Sequence, residues 1–419
     1  MESTRVRPWA ALHHPNFALL AGGQLVSQIG DGMQQIVVAW QIYELTHSAL
    51  GVGLTGLARA IPLIAFSLIG GLVADAVDRR RLLIVTQTLA MACTLVLASL
   101  TAGGLISPLM IYALILLTAA TRAFDNPARQ ALVPTLVSTE HINSAVNLLL
   151  AIRHTGAILG PAIGGVLIAA VGVAAAYWIN AATFLALIGA LLAMRIATVA
   201  GRSRPPIGIA MLADGIRFVW ATPVVLSILA IDFMNTGFGT SRSARPTFAR
   251  EVFDVGAQGL GFLGSATSVG AILGLGAALA LGDVRRKGLG VILCSLGFGI
   301  AVLSFALGPT SLLAALGLAG IGFADAVNDS MSHTLLLTVT PDALRGRVNS
   351  VAIMLTQGGP SLGQLWVGFL VSALGPREGV AVGGLAIVLF AVSLLLFARP
   401  LVRYGSATAT PVGGAACRS

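Results

Sequence analysis

Runs of about twenty apolar residues recur along this chain, each long enough to cross the roughly 30 Å hydrocarbon core of a bilayer as one helix. They fall approximately at 17–40, 50–74, 82–101, 107–125, 146–169, 173–194, 223–246, 258–281, 289–307, 311–335, 350–373 and 379–398. A soluble protein can bury one such helix but not ten or more, because its surface has to meet water. Only 10% of the 419 residues are charged, against about 25% in an average soluble domain. The pattern predicts an all-α polytopic membrane protein with twelve transmembrane helices.

The placement of basic residues tests that spacing independently, since arginine and lysine favour cytoplasmic loops. Taking alternate connections from the N-terminus, one side collects Arg5 and Arg7, Arg79 to Arg81, Arg129, then Arg195, Arg202 and Arg204. The same side continues with Arg285, Arg286 and Lys287, then Arg345 and Arg347, then Arg399 and Arg403. Arg250 and Arg377 on the opposite side each adjoin a glutamate. Both termini are therefore expected in the cytoplasm. The net charge of +9 is spread over these turns and forms no dense patch, which argues against nucleic acid as a partner. Cys93, Cys294 and Cys417 are far apart and have neither CxxC nor histidine spacing, so no disulfide framework, metal site or cofactor is expected. No GxxxxGK[ST] phosphate loop occurs, which leaves an ATP-driven pump without its engine, and the expectation is a transporter and not an enzyme.

The longest polar connection divides the chain. Residues 1–194 are expected to form an N-terminal six-helix bundle and 223–400 a C-terminal one. Residues 195–222 read as a cytoplasmic linker, with a short interfacial helix from Ile209 to Trp220, and 401–419 as a flexible cytoplasmic tail. The two bundles carry related landmarks. The turn Gly70 to Arg81 (GGLVADAVDRRR) has a weaker copy at Gly282 to Gly288 (GDVRRKG), and Asp31 and Asp125 have rough counterparts in Asp232 and Asp325. Val137–Asn147 aligns without a gap on Val339–Asn349. Two homologous halves that start on the same side suit alternating access, with a binding site between repeats.

Asp31 is the costliest residue to place in a membrane. Gln24, Gln28, Asp31 and Gln35 share one helical stripe, and a carboxylate at that depth needs a wet cavity or a partner. The stripe points to a cavity in which Asp31 carries a proton or binds substrate; the structural alternative is an ion pair. Arg122 and Arg153, the latter followed by His154, are its obvious basic partners, and Asp232 and Asn235 share a face of the seventh segment, followed by Arg242 and Arg245 near its outer mouth. In the Gly70 to Arg81 turn, Gly71, Asp75, Arg79 and Arg80 can form a gate, the aspartate latching onto arginines or a helix N-terminus in one conformation and releasing in the other. Asp283 and Arg285 would do the same in the weaker copy. Gly156, Gly160 and Gly164 form a smooth strip with Pro161 beside it, read here as a hinge surface at the interface between halves.

These segments together resemble the major facilitator superfamily, above all its twelve-span drug and siderophore exporters, the group that includes the enterobactin exporters and related multidrug efflux transporters. The match at Gly71, Asp75, Arg79 and Arg80 is similar to the superfamily's loop between spans two and three, although Ala76 and Asp78 stand where an arginine and a glycine are usual. Gly156 to Gly165 resembles the exporters' antiporter motif, and Phe124 to Ala131 and Arg345 to Val348 resemble exporter segments. The resemblance spans about residues 15–400. It implies export, and because a six-plus-six transporter without an ATP site must draw on a gradient, the expectation is a proton-coupled secondary exporter of amphipathic small molecules, of drug or siderophore class, working as a monomer among the lipids of a bacterial inner membrane. An importer of the same fold, or a non-transporting sensor or assembly factor, are the competing readings.

Overall fold

The structure, a computed structural model, describes residues 9–194, 217–239, 241–281 and 286–398, with all their side chains except some within 67–75 and 342–357. Every regular element in these stretches is helical, as backbone that crosses lipid requires, because no water is at hand there for an unpaired N–H or C=O. The principal helices are α1 (Pro15–Thr46), α2 (Ala49–Ala76), α3 (Arg79–Ala102), α4 (Pro108–Leu136), α5 (Ile142–Ala193), α6 (Pro223–Phe238), α7 (Gly256–Leu281), α8 (Lys287–Leu307), α9 (Ser311–Val339), α10 (Asp342–Leu374) and α11 (Pro376–Phe397).

Local chemistry sets many of these boundaries. Proline opens α1, α4, α6 and α11, where its missing N–H costs nothing. Asp78, Ser107 and Thr310 cap the starts of α3, α4 and α9 by accepting from the backbone N–H groups of Arg81, Met110 and Leu313. Helix α5 covers two of the predicted apolar segments. Gly172, at φ 84° and ψ 172°, breaks it into two limbs in a conformation that a side chain would oppose.

Among the described residues eight helices are long and apolar enough to cross a membrane, by length and composition, and the protein is a multi-pass membrane protein. Helix α1 is not among the eight, for although it is 32 residues long its glutamines and Asp31 lower its hydropathy. The seventh segment departs from its expected extent of 223–246. Helix α6 stops at Phe238 with Gly239 as its cap, and the chain continues through a short helix at Arg245–Thr247 into a wide turn over Phe248–Val252. Glycine at 237 and 239 and the small hydroxyl residues that follow favour this break, which average hydropathy does not register. Of the expected linker helix from Ile209 to Trp220, residues 209–216 lie outside the described residues; 217–221 are helical, with Val219 buried and Trp220 exposed.

The chain divides into two compact units. Unit 1 comprises Met1–His47, Leu57–Pro206 and Asp254–Ser265, and unit 2 comprises Ser48–Gly56, Ile207–Phe253 and Ala266–Ser419. In unit 1, α1 and α5 approach backbone to backbone. A Cβ added at Gly160 would lie 2.6 Å from the Gly32 Cα, and one at Gly156 would lie 2.7 Å from the Gln28 backbone. The strip of Gly156, Gly160 and Gly164 therefore seats α1 at Gln28, Gly32 and Met33, inside its own bundle; this corrects the reading that places it between halves. A different edge of α5 meets the segment Asp254–Ser265. There a Cβ on Gly165 would fall 2.9 Å from the Gly261 Cα, and the Ser265 hydroxyl donates to the Ile158 carbonyl at 2.6 Å. In unit 2 the segment Ser48–Gly56 lies against α10, where the Leu50 N–H donates to Ser372 Oγ at 3.0 Å and Gly53 and Gly56 leave room for the carbonyls of Gln364 and Ser361.

The arginines that open α3 hold unit 1 together at one end. Arg80 donates from Nε to the Leu191 carbonyl at 2.6 Å and from Nη2 to the Leu192 carbonyl at 2.8 Å, and so satisfies the last turn of α5, whose carbonyls have no helical partner. Arg79 donates to the Ala131 carbonyl of α4 at 3.0 Å. Gly71 and Asp75 lie in helix α2 and their side-chain surroundings are outside the described residues, as are Asp283 and Arg285 altogether.

The α1–α5 contact generates a stability prediction. Gly160→Ala pushes a methyl group into opposing backbone and is expected to cost about 1–3 kcal/mol, the range for overpacking a tight contact. Gly189→Ala, also in α5 but with no atom within 4 Å of the new Cβ, is expected to leave the protein at least as stable as the parent. Thermal melting of both variants in detergent checks the contrast, and equal melting temperatures contradict it.

Candidate functional site

Unit 1 holds an open cavity of about 690 Å³ whose walls come from α1, α3, α4 and α5. The predicted stripe lines it in full: Gln24, Gln28, Asp31 and Gln35 all face it. The remaining glutamines of α1 point elsewhere. Gln34 accepts from Asn180 Nδ2 at 2.9 Å, and Gln41 accepts from the Tyr177 hydroxyl at 2.8 Å while donating to Thr101 at 2.9 Å. One helix thus carries two polar faces, one turned to the cavity and one used up in packing.

Asp31 meets Arg122 of α4, with Oδ1 2.7 Å from Nη2. Both side chains remain open to the cavity, 23% and 45% exposed, so the pair is wet and its attraction is moderate rather than that of a dry ion pair. A second pair lies deeper. Asp125 accepts from Thr86 Oγ1 at 3.1 Å and Gln87 Nε2 at 2.7 Å and pairs with Arg129 one turn further along α4. With 7% of the aspartate side chain exposed, this carboxylate is almost fully enclosed, and three donors take up its charge. Arg153 of α5 lines the same cavity and is exposed within it. The structure therefore brings Asp31, Gln28, Gln35, Arg122 and Arg153 around one space.

The expected residues of the C-terminal half gather separately, in unit 2. Asp232 of α6 accepts from Asn328 Nδ2 of α9 at 2.9 Å, and Asn235 accepts from the Ser295 hydroxyl of α8 at 2.8 Å. Asp325 and Asp329 of α9 lie within electrostatic range of each other and of Asp232, and the charge of Arg242 acts on Asp325. Arg245, read from sequence as lying near an outer mouth, is buried at 9% exposure and bonds to Ser241 at 3.3 Å and Thr267 at 2.9 Å.

Sequence reasoning places Asp125 and Asp325 only as landmarks of the repeat and passes over Asn328, Asp329 and Gln87. For the charged residues a signal exists. Asp125 and Arg129, like Asp325 and Asp329, stand four residues apart in apolar surroundings, the spacing that puts two charges on one helix face. Among the described residues no group of histidine, cysteine, aspartate and glutamate could hold a metal ion.

Comparison with known proteins identifies the family. The family described as transmembrane secretion effector matches residues 6–412. The chain is 28% identical over 395 residues to the enterobactin exporter EntS of Shigella boydii, covering 93% of this chain and 94% of that protein, and equally so to its Escherichia coli counterpart. Among solved structures it superposes on the nucleoside transporter NupG with a TM-score of 0.68 at 16% identity, over 93% of this chain and 99% of that one. It also superposes on a bacterial homologue of the human lysosomal transporter Spinster, inward-facing and unoccupied, with a TM-score of 0.67 at 14% identity, over 91% and 94% of the two chains. At such identities these two structures establish the fold alone. The chain belongs to the transmembrane secretion effector family, a group of transporters, not enzymes, within the major facilitator superfamily.

Proposed function

We propose that this protein is a secondary active exporter that moves amphipathic small organic molecules out of the cell in exchange for protons. The observation that carries the reading is the unit 1 cavity, whose walls bring three arginines and two aspartates inside a bundle of apolar helices. Charged groups at such a position are expensive, and in membrane proteins they mark the path of a substrate or ion. The similarity to proteins named as enterobactin exporters supports export as the direction. Identity of 28% does not fix the compound carried.

The proposal includes twelve spans, both termini in the cytoplasm, the bacterial inner membrane as location and the monomer as working unit. The count of twelve is supported by taking the two limbs of α5, the short α6 and each other principal helix as one pass apiece. The bias of arginine toward alternate connections supplies the orientation.

The coupling step assigned to Asp31 is a competition for its carboxylate. A proton and Arg122 cannot both neutralise it, so protonation breaks the pair and frees the guanidinium, and loss of the proton restores it. Asp232 holds a comparable address in unit 2, with an amide rather than a guanidinium as its partner, and stands as the second candidate. The turn at Gly71, Asp75, Arg79 and Arg80 is assigned a gating role, in which the bonds of Arg80 to Leu191 and Leu192 form and part. The strip at Gly156, Gly160, Pro161 and Gly164 is assigned the role of a rigid bearing for α1.

Three outcomes are expected. In inverted vesicles, an imposed inward-acid gradient should drive substrate accumulation by the parent protein; flux indifferent to the gradient removes proton coupling. Asp31→Asn keeps the shape of the protonated acid, so it should still bind substrate and exchange it while losing gradient-driven accumulation; normal accumulation by this variant would shift the assignment to Asp232, whose Asp232→Asn counterpart is measured in parallel. Cysteine labelling at positions 104 and 204 of a protein cleared of its native cysteines should report opposite faces of the membrane, and labelling from the same face contradicts the topology.

A further inference from the structure

We infer that the unit 1 cavity selects its cargo by negative charge, and that Arg153 is the residue that receives it. The inference rests on the reading of this cavity as the substrate cavity. Its walls hold three arginines, Arg122, Arg129 and Arg153, against two aspartates, Asp31 and Asp125. Each aspartate is already matched, Asp31 by Arg122 and Asp125 by Arg129 together with Thr86 and Gln87. Arg153 has no acidic partner among the described residues, and its side chain is exposed where it borders the cavity. The cavity thus carries one positive charge in excess, at a defined place.

An excess cation in a membrane bundle is tolerated when it faces water or awaits an anion. A guanidinium adds a shape requirement, since its planar fork matches two oxygens of one carboxylate or a comparable planar oxyanion, which a lysine ammonium does not reproduce. The surroundings of Arg153 favour an amphiphile over a bare ion. Val146, Leu149, Leu150 and Ala157 occupy the same face of α5, spaced three to four residues apart on either side of Arg153, and all line the cavity. Val146 is 45% and Leu150 40% exposed, so apolar surface stands open beside the charge. An apolar body laid along this face brings an acidic head to Arg153. Arg122 lies in the same space, and when Asp31 is protonated it offers a second guanidinium to the same head.

The test uses three probes that share one ring system and differ in charge: 1-naphthylacetate, 1-naphthylacetamide and 2-(1-naphthyl)ethylammonium. Binding to the full-length protein in lipid nanodiscs is measured by calorimetry, with empty nanodiscs as the blank. The acetate is expected to bind saturably, and at least about ten-fold more tightly than the amide or the amine, the worth of one charge-assisted contact. Arg153→Gln should abolish that preference by weakening the acetate alone, and Arg153→Lys should retain part of it. Equal binding of the three probes, preference for the amine, absence of saturable acetate binding, or an unchanged preference in Arg153→Gln each overturns the inference. If Arg153→Gln does not fold, the ranking of probes by the parent protein and by Arg153→Lys decides the matter. Flux of the same probes in proteoliposomes separates the two readings: selective binding without transport defeats the exporter and leaves the anion site, whereas transport without charge preference defeats the anion site and leaves the exporter.

Discussion

The approach of α1 to α5 sets the position of nearly every other group in unit 1. At Gly32 and Gly160 the two helices meet without side chains between them, and over Gln28 and Gly156 the contact is as close. Without a hydrophobic force to drive helices together in lipid, such contacts depend on dispersion over smooth surfaces and on hydrogen bonds between side chains. Both are present here, since Gln34 and Gln41 bond across to Asn180 and Tyr177 of the second limb of α5. Pinned along one side, α1 has a fixed rotation. Its other side must then present Gln24, Gln28, Asp31 and Gln35 to whatever lies opposite, and α4 answers with Arg122. The charged wall of the cavity follows from packing on another face of the same helix.

The two units solve the same problem with different chemistry. In each, an aspartate on the helix that opens the bundle bonds to a residue on the bundle's fourth predicted span: Asp31 to Arg122, and Asp232 to Asn328. An arginine cancels the charge it meets, whereas an amide only donates a hydrogen bond and leaves the charge in place. The unit 1 cavity is consequently near balance with one cation to spare, while in unit 2 Asp232, Asp329 and Arg242 all act on Asp325. The first acid of each set therefore meets a different kind of partner, a guanidinium in one unit and an amide in the other.

Much of this was legible in the sequence, and what was missed shares a cause. The apolar runs and the stripe of Gln24, Gln28, Asp31 and Gln35 depend on helical periodicity, which is local and can be read from residue spacing. The direction taken by the glycine strip is not local. Gly156, Gly160 and Gly164 declare a close approach, yet the partner, α1, is more than a hundred residues away and nothing in the strip names it. The same holds for Asn328, an unremarkable amide until Asp232 is placed against it, and for Gln87, which acquires meaning only beside Asp125. The early end of α6 has a local cause, but hydropathy averaged over the whole segment conceals the glycines at 237 and 239.

The arginine triplet at the start of α3 shows how a motif can be topological and structural at once. Three cations at a helix N-terminus stand at the positive end of its dipole, an unfavourable place, and Asp78 relieves only part of this as an N-cap with a negative charge. Asp78 stands where the superfamily usually has glycine, and with φ at −59° the position makes no demand for glycine, so a capping side chain is admitted without strain. The rest of the offset comes from outside the helix. Arg80 turns to the carbonyl end of α5 and Arg79 to a carbonyl of α4, groups that carry the opposite partial charge. The triplet is therefore stable where it is only while the start of α3 stays beside the end of α5, and any rearrangement that parts them must give up both carbonyl bonds of Arg80 together.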